Sequence, residues 1–258
     1  MPLLHAHRGA ASERPENTVP SFERALEHGA DGLETDLHLT SDGHVVASHD
    51  PSLMRMSGAP VVIRRETLTT VQGHDVGWGF VDASGARPFA AKGFRVPTFE
   101  ELLDAFPTTP WNVDIKQHER AAVDAVLSVI RRKRAEDRVL VASFDAATLR
   151  AVRRAGYAGR TGMGVADVLW LLGAPLALLR HAPPAGTAAQ VPPRLHGLRS
   201  DTRSFVAKCK ALSLRLDYWT INDPSEAERL IALGADGIMT DDPGSIGPVF
   251  RRLRASQK

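Results

Sequence analysis

The chain of 258 residues holds a single cysteine, Cys209. One thiol cannot close an internal disulfide, so the sequence has no covalent framework and no sign of an oxidising compartment. Cys209 stands in a predicted helix, Phe205-Val206-Ala207-Lys208-Cys209, where a small packing residue is expected. Long hydrophobic runs are missing as well. The longest apolar stretch, Val168 to Leu179, is too short to span a bilayer and carries Gly173 and Pro175. A secretory leader would need a basic start and an apolar core ahead of the mature fold, and the first motif begins at His7, which leaves no room for one. A cytoplasmic chain with no transmembrane segment is therefore expected. Neither sign of charge dominates: the formal net charge is +2, and the 32 basic residues are scattered rather than gathered into a stripe, which argues against a nucleic-acid partner. Only six of them are lysine, which reads as a coding preference for arginine. With 43% hydrophobic and 24% charged residues, the composition excludes disorder and supports a sizeable core.

What is present is alternation. Short apolar runs exchange with amphipathic stretches from end to end, the pattern of βα units around a parallel sheet. Eight candidate strands can be read: Leu3–His7, Gly32–Leu37, Trp111–Lys116, Val139–Ser143, Arg160–Gly164, Ala188–Val191, Arg215–Thr220 and Asp236–Thr240. Eight closes a (β/α)8 TIM barrel, and residues 1–258 are read as one such domain. The helices between have legible ends. Thr18 is placed as N-cap of a helix running through Glu27, with Gly29 at its stop. Thr98 and Glu101 form a capping box, while Asp223-Pro224 and Asp242-Pro243 open the last two helices. Ala182–Pro193 is rich in Pro and Ala, with little periodicity to define the fifth and sixth strands.

One segment breaks the alternation. From Pro51 to about Val96 there are six glycines, little helical period and the cluster Trp78-Gly79-Phe80. Residues 51–96 are read as an insertion between the second strand and its helix, near the active-site mouth, where a lid, a substrate wall and a passive flap are all open.

The chemistry-bearing residues gather at strand ends in the first half of the chain. Side chains two apart on a strand share a face, so Glu34 and Asp36 project together, as do Asn112, Asp114 and Lys116. Glu34, Asp36 and Asp114 crowded at neighbouring strand ends would repel unless protonated or bound to a cation. Oxygen-only ligation suits a hard ion, Mg²⁺ or Ca²⁺, although each acid taken alone has the plainer reading of a rim ion pair. His7 closes the first strand and His49 follows the extended run Val45-Val46-Ala47-Ser48. Two imidazoles flanking a phosphate can serve as base and acid. Arg8 offers a bidentate fork to phosphate and Lys116 a point charge. Glu16 can accept a hydrogen bond from His7 or from a substrate hydroxyl, and the surrounding Pro15-Glu16-Asn17-Thr18 also reads as a turn and helix cap. Trp219 is read either as a stacking face at the mouth or as core, Phe144 as core, His5 as a packed core histidine. Together these residues describe a metal-assisted site for cleaving a phosphate ester.

The set resembles the glycerophosphodiester phosphodiesterase family. His7-Arg8-Gly9, Pro15-Glu16-Asn17-Thr18, Glu34-x-Asp36, His49-Asp50, Val96-Pro97-Thr98-Phe99-Glu100-Glu101, Asn112-x-Asp114-x-Lys116, Trp219-Thr220-Ile221-Asn222 and Asp236-Gly237-Ile238-Met239-Thr240-Asp241 follow one another in the family's order. The resemblance implies a TIM barrel with a small insertion after the second strand. It implies one divalent cation on Glu34, Asp36 and Asp114, with His7 and His49 as the acid/base pair. Arg8 and Lys116 would bind the phosphate, and Glu16 would sit beside the metal or His7. Many relatives carry Glu where this chain has Asp114, and the shorter side chain is expected to draw the strand closer to the ion or to admit an extra water. Gln190 is the one candidate substrate contact from the weakly matching stretch 182–199. The implied reaction is hydrolysis of a small-molecule glycerophosphodiester to glycerol 3-phosphate and an alcohol. Two alternatives stand beside it. A lysophospholipase D or sphingomyelinase-D-like activity would use Val168–Leu172, Trp78 and Phe80 as a greasy lip. A catalytically silent phosphate-binding barrel would need a missing histidine or carboxylate, and none is missing.

Overall fold

Strand-length apolar runs bounded by turn residues become a parallel barrel in the computed structural model, which describes residues 1–195 and 197–255. Its strands are β1 (Leu3–His7), β2 (Gly32–Leu39), β3 (Trp111–Ile115), β4 (Val139–Ala142), β5 (Arg160–Thr161), β6 (Ala188–Val191), β7 (Arg215–Tyr218) and β8 (Gly237–Thr240). They pair in the order β5-β4-β3-β2-β1-β8-β7-β6, and a parallel bridge between Gly162 and Ala188 brings the two ends together. The (β/α)8 architecture read from the alternation is thus the observed one. The fifth strand is the main difference. It was expected over Arg160–Gly164 but has two residues, because Gly162 and Met163 continue it only as an isolated bridge and two backbone bonds, Gly162 N to Val141 O at 2.9 Å and Met163 N to Ala188 O at 3.0 Å. His196, in the weakly periodic stretch after β6, and the last three residues of the domain as read lie outside the described residues.

A helix follows each strand: α1 (Val19–Glu27), α2 (Phe99–Ala105), α3 (Arg120–Arg132), α4 (Ala146–Arg154), α5 (Val165–Gly173), α6 (Arg203–Ala211), α7 (Pro224–Leu233) and α8 (Pro243–Ala255). The caps explain the starts. At α2, Thr98 accepts from the Glu101 backbone and Glu101 reaches back to the Thr98 backbone, closing the capping box. Asp223 caps α7, and Gly234 ends it in the left-handed region. Thr18 precedes α1 as expected but does not cap with its side chain, since its hydroxyl donates to the Pro15 carbonyl at 2.7 Å instead. The apolar stretch Val168–Leu179 is divided between two helices: Ala174 is extended ahead of Pro175, and a short helix Leu176–His181 follows. Among the described residues no helix is long and apolar enough to cross a membrane.

The apolar core lies outside the barrel, between strands and helices. One cluster covers the first half, around Phe22, Leu33, Phe99, Trp111 and Val123, and a second covers the other half, around Leu4, Phe205, Leu216 and Ile246. Cys209 belongs to the second cluster, and burial pushes its thiol up to about 12, so it packs rather than reacts. The barrel interior is polar. At its floor Arg215 pairs with Asp217 at 2.7 Å and donates to His5 Nε2 at 3.0 Å. Gly32 makes room there, because a Cβ at that position would stand 2.7 Å from His5 Nδ1.

The segment after β2 first turns back as a strand, Val45–Ala47, antiparallel to β2. The insertion then forms short helices at Met54–Ser57 and Leu68–Gln72, with single turns at Ile63–Arg65 and Val76–Gly79. It is not a bare loop, because Leu53, Met56, Ile63, Val71, Val76 and Val96 form an apolar cluster of their own with Val46.

Trp111 is the hub of the first-half core, with its ring 5.0 Å from Phe22 and 6.0 Å from Phe106. Removing it should leave a void that its rigid neighbours fill poorly. Trp111→Ala is expected to lower unfolding stability by about 3–5 kcal/mol in urea denaturation. A loss near zero would show that the Trp111 ring is not the hub of that core.

Candidate active site

Strand register stacks the polar side chains into levels. His7 pairs with Glu34 and Glu34 with Asn112, and one inward step further Asp36 pairs with Asp114. These positions face the barrel axis at the C-terminal ends of β1, β2 and β3, where βα loops build a mouth. Arg8 and Lys116 follow directly on β1 and β3.

The turn that presents Arg8 is tightly specified. Arg8 has φ +58° and Gly9 φ +90°. A Cβ on Gly9 would lie 2.8 Å from the Ser21 carbonyl carbon, so both the angle and the space require glycine. The Arg8 amide donates to the Glu34 backbone oxygen and to Glu34 Oε2, each at 3.1 Å. Asn17, buried with φ +56°, donates its amide to the Arg8 carbonyl at 3.0 Å and accepts from the Thr35 hydroxyl at 2.7 Å. Pro15-Glu16-Asn17-Thr18 is therefore the bracket that fixes the Arg8 turn against β2.

Three buried carboxylates meet two cations. Arg8 Nε is 3.0 Å from Asp36 Oδ2, while Lys116 Nζ lies 2.8 Å from Asp36 Oδ1 and 2.6 Å from Asp114 Oδ2. Burial opposes the ionised form of Asp36, but Lys116 and Arg8 outweigh it and hold its carboxyl below the ordinary value. Glu34 has no such cover. Burial first, and Asp36 next, push its carboxyl up to about 8. Burial also raises Asp114 despite Lys116. Among the described residues no group of three or more His, Cys, Asp or Glu side chains is arranged to hold a metal ion as it stands, because Lys116 occupies the space between Asp36 and Asp114. The donor chemistry nevertheless fits a hard cation. Every donor is oxygen, Glu34 has no arginine or lysine ion pair among the described residues, and the buried Asp114 Oδ1 and Asn112 Oδ1 find no hydrogen-bond partner there either.

Each histidine is oriented by its own acid. His7 Nδ1 meets Asp241 Oδ1 at 2.6 Å, and His49 Nδ1 meets Asp50 Oδ1 at 2.8 Å. Asp241 and Asp50 are both held below the usual carboxylate range, against burial, by their hydrogen-bonded partners. An ionised acid makes Nδ1 the donor and leaves Nε2 for chemistry. Burial would lower His7, but Glu34 and Asp241 prevail and raise it above the ordinary imidazole value.

One cavity of about 270 Å³ gathers these groups: His7, Arg8, Glu34, Asp36, His49, Asn112, Asp114 and Lys116 all line it, as do Gln190 and Trp219. Glu16 does not line it. Its carboxylate turns to Arg55, at 2.7 Å, and to Arg8, at 3.5 Å, rather than to His7. Phe144, expected in the core, is 60% exposed and stands edge-on to Trp219 at 5.7 Å on the cavity rim. The loop after β4 carries it outward past Ser143. Insertion residues 51–96 contribute nothing to the lining among the described residues. Trp78 instead packs under Arg87, and Phe80 against Phe89, so neither forms the greasy lip of the lysophospholipase alternative. Of the residues offered for that lip Val168 alone lines the cavity, in an apolar wall with Met163, Val165 and Leu195.

Two functional neighbours had no role in the sequence reading, Asp241 and Asn222, whose amide donates to Asp241 Oδ2 at 3.2 Å. Their signal was present, since both end strand motifs that matched in order, but only the barrel closure of β1 on β8 brings Asp241 to His7.

Asp241 supplies part of what raises His7. In Asp241→Asn the metal-free protein should show a lower His7 pKa by NMR titration, and an unchanged value would mean that Glu34 alone governs it. A folded-state value above the unfolded one stabilises fully below the unfolded pKa, and the contribution is lost as pH rises through the folded pKa.

Residues 7–245 match the family model described as the glycerophosphoryl diester phosphodiesterase family. A glycerophosphodiester phosphodiesterase of Caldanaerobacter subterraneus is 30% identical over 97% of this chain and 98% of its own length. A human lysophospholipase D is 28% identical over 97% of this chain and 86% of its own. Among solved structures, an Oleispira antarctica phosphodiesterase in complex with the product sn-glycerol-3-phosphate superposes with a TM-score of 0.81 at 23% identity, covering 97% of each chain, and so shares the fold. With a matching family model over nearly its whole length, this chain belongs to the glycerophosphoryl diester phosphodiesterase family.

Proposed function

We propose that the chain hydrolyses a glycerophosphodiester to glycerol 3-phosphate and an alcohol, with His7 and His49 exchanging the protons. The observation that carries this reading is the pairing of two acid-oriented histidines, His7 with Asp241 and His49 with Asp50, in one cavity with Arg8 and Lys116. The named relative from Caldanaerobacter and the product complex of the Oleispira phosphodiesterase support the same substrate class.

Arg8 and Lys116 bind the phosphate, the first with a directional fork and the second as a point charge. His7, drawn toward its protonated form by Glu34 and Asp241, gives a proton to the departing alcohol oxygen. His49 takes the proton of the attacking hydroxyl. The nucleophile in this reading is the adjacent glycerol hydroxyl, because a group already held beside phosphorus avoids a bimolecular step. Its oxygen bonds to phosphorus, the P–O bond to the alcohol breaks, and water then opens the cyclic phosphate with the histidines in exchanged roles. Glu34, Asp36 and Asp114 would hold one divalent cation, Mg²⁺ or Ca²⁺. Such an ion, when bound, polarises a phosphoryl oxygen and offsets the charge that builds there. Trp219 and Gln190 contact the carbon skeleton and hydroxyls of the substrate.

A second reading has its own support. The apolar wall of Met163, Val165, Val168 and Leu195 suits a leaving or retained group that carries an acyl chain, and a lysophospholipase D stands among the relatives. Glycerophosphocholine against lysophosphatidylcholine separates the two.

Purified protein should release glycerol 3-phosphate from glycerophosphocholine with Mg²⁺ or Ca²⁺. Activity should vanish with EDTA, and His7→Ala should lose about 10²–10⁴-fold in kcat. A cyclic glycerophosphate trapped in a slow variant and seen by phosphorus NMR would support the internal route, whereas single-step inversion with solvent oxygen would overturn it. Folded protein with no turnover on either substrate in any metal would leave the silent binding barrel as the better account.

A further inference from the structure

The insertion sends one side chain to the site's supports. Arg55, in the short helix Met54–Ser57, donates from Nε to Asp50 Oδ2 at 2.6 Å. Its two terminal nitrogens grip both oxygens of Glu16, at 2.7 and 3.0 Å. Each of these acids faces a site residue with its remaining capacity. Asp50 Oδ1 meets His49 Nδ1 at 2.8 Å, and Glu16 Oε1 lies 3.5 Å from Arg8 Nη1. A continuous chain therefore runs from His49 through Asp50, Arg55 and Glu16 to Arg8.

We propose that Arg55 is a positioning residue which fixes, from the insertion, both the imidazole of His49 and the guanidinium of Arg8. This rests on the reading of His49 as a proton-transfer group and Arg8 as a phosphate clamp. The geometry supplies the reason. A planar guanidinium can take two oxygens of one carboxylate and an oxygen of another at fixed angles, which an ammonium cannot do. With Arg55 in place, Asp50 is anchored at one oxygen and turns the other to His49, so the imidazole holds one tautomer and one orientation. Glu16, engaged through both oxygens, touches Arg8 only at its long 3.5 Å contact. That leaves Arg8 paired with Asp36 and its remaining face toward the cavity. Without Arg55, the Glu16 carboxylate has Arg8 as its nearest cation and would draw it away from Asp36. Arg55 itself is half-exposed, so its ion pairs add little to global stability and their effect falls on orientation.

The test is steady-state kinetics on glycerophosphocholine with Arg55→Met, Arg55→Lys, Glu16→Gln and Asp50→Asn, with Ile63→Val as a control that loosens only the insertion's apolar cluster. Arg55→Met should lose roughly 10- to 100-fold in kcat/KM, split between a lower kcat from His49 and a higher KM from Arg8, with an unchanged melting temperature. Arg55→Lys, lacking the fork, should recover one of the two parameters and not both. Glu16→Gln and Asp50→Asn should be non-additive by about fivefold or more in the presence of Arg55, and additive in the Arg55→Met background. Activity of Arg55→Met within about twofold of the parent would overturn the proposal, as would additivity of the two acid substitutions with Arg55 present, or an equal loss in Ile63→Val. A parent protein with no turnover would count instead against the reaction itself, and binding of glycerol 3-phosphate by calorimetry, weakened in Arg55→Met, then decides the Arg8 half on its own.

Discussion

Charge balance around Asp36 is the constraint on which the rest of the molecule depends. Its carboxylate is almost fully buried and is bearable only because Lys116 and Arg8 take one oxygen each. Removing either cation would leave a charge in a poorly solvated place, which costs several kcal/mol in proteins generally. Both cations are therefore placed by backbone that cannot move freely. Lys116 follows a strand paired on both sides, and Arg8 sits in a left-handed turn braced by Gly9, Asn17 and Glu34. The same pairing leaves Glu34 without an arginine or lysine ion pair, and its side-chain charge partner is the His7 imidazole, 3.8 Å away. Fold stability and the raised carboxyl of Glu34 thus arise from one arrangement.

The barrel separates its two jobs in space. Apolar packing is confined to the layer between strands and helices, where the two large clusters meet. The interior is polar at both levels, with the His5, Arg215 and Asp217 group closing the floor beneath the carboxylates. Burial lowers the His5 imidazole, which keeps it neutral and able to accept from Arg215. His5 and His7 lie two residues apart on one strand face, yet one is a structural acceptor and the other is held toward its charged form by Glu34 and Asp241. Neighbours, not residue type, set the difference.

Much of this was legible in the sequence because it depends on local rules. Side-chain alternation put Glu34 with Asp36 and Asn112 with Asp114, and parallel pairing needed only neighbouring strands to bring the four together. Capping residues at Thr98 and Asp223 marked helix starts through bonds that span three residues or fewer. What escaped depends on distant contacts or on loop direction. Asp241 reaches His7 across 234 positions of chain, and its partnership exists only once β8 pairs with β1. Phe144 looks like core by composition, but the turn after Ser143 throws it outward. The insertion carries no helical period because its helices are four and five residues long, too short to show one. Its apolar residues nonetheless converge on a cluster, a tertiary fact with no sequence signature.

That separate cluster has an evolutionary corollary. Val46 and Val96, at the two necks of the insertion, anchor it to the barrel wall, while Trp78, Phe80 and Phe89 form its outer face away from the cavity. The insertion packs on its own apolar residues, yet Arg55 ties it to Asp50 and Glu16, and Arg14 lies over its Phe89 ring. Change in its length or outer surface can therefore leave the strand register behind it untouched, whereas change at Arg55 reaches the two acids it holds.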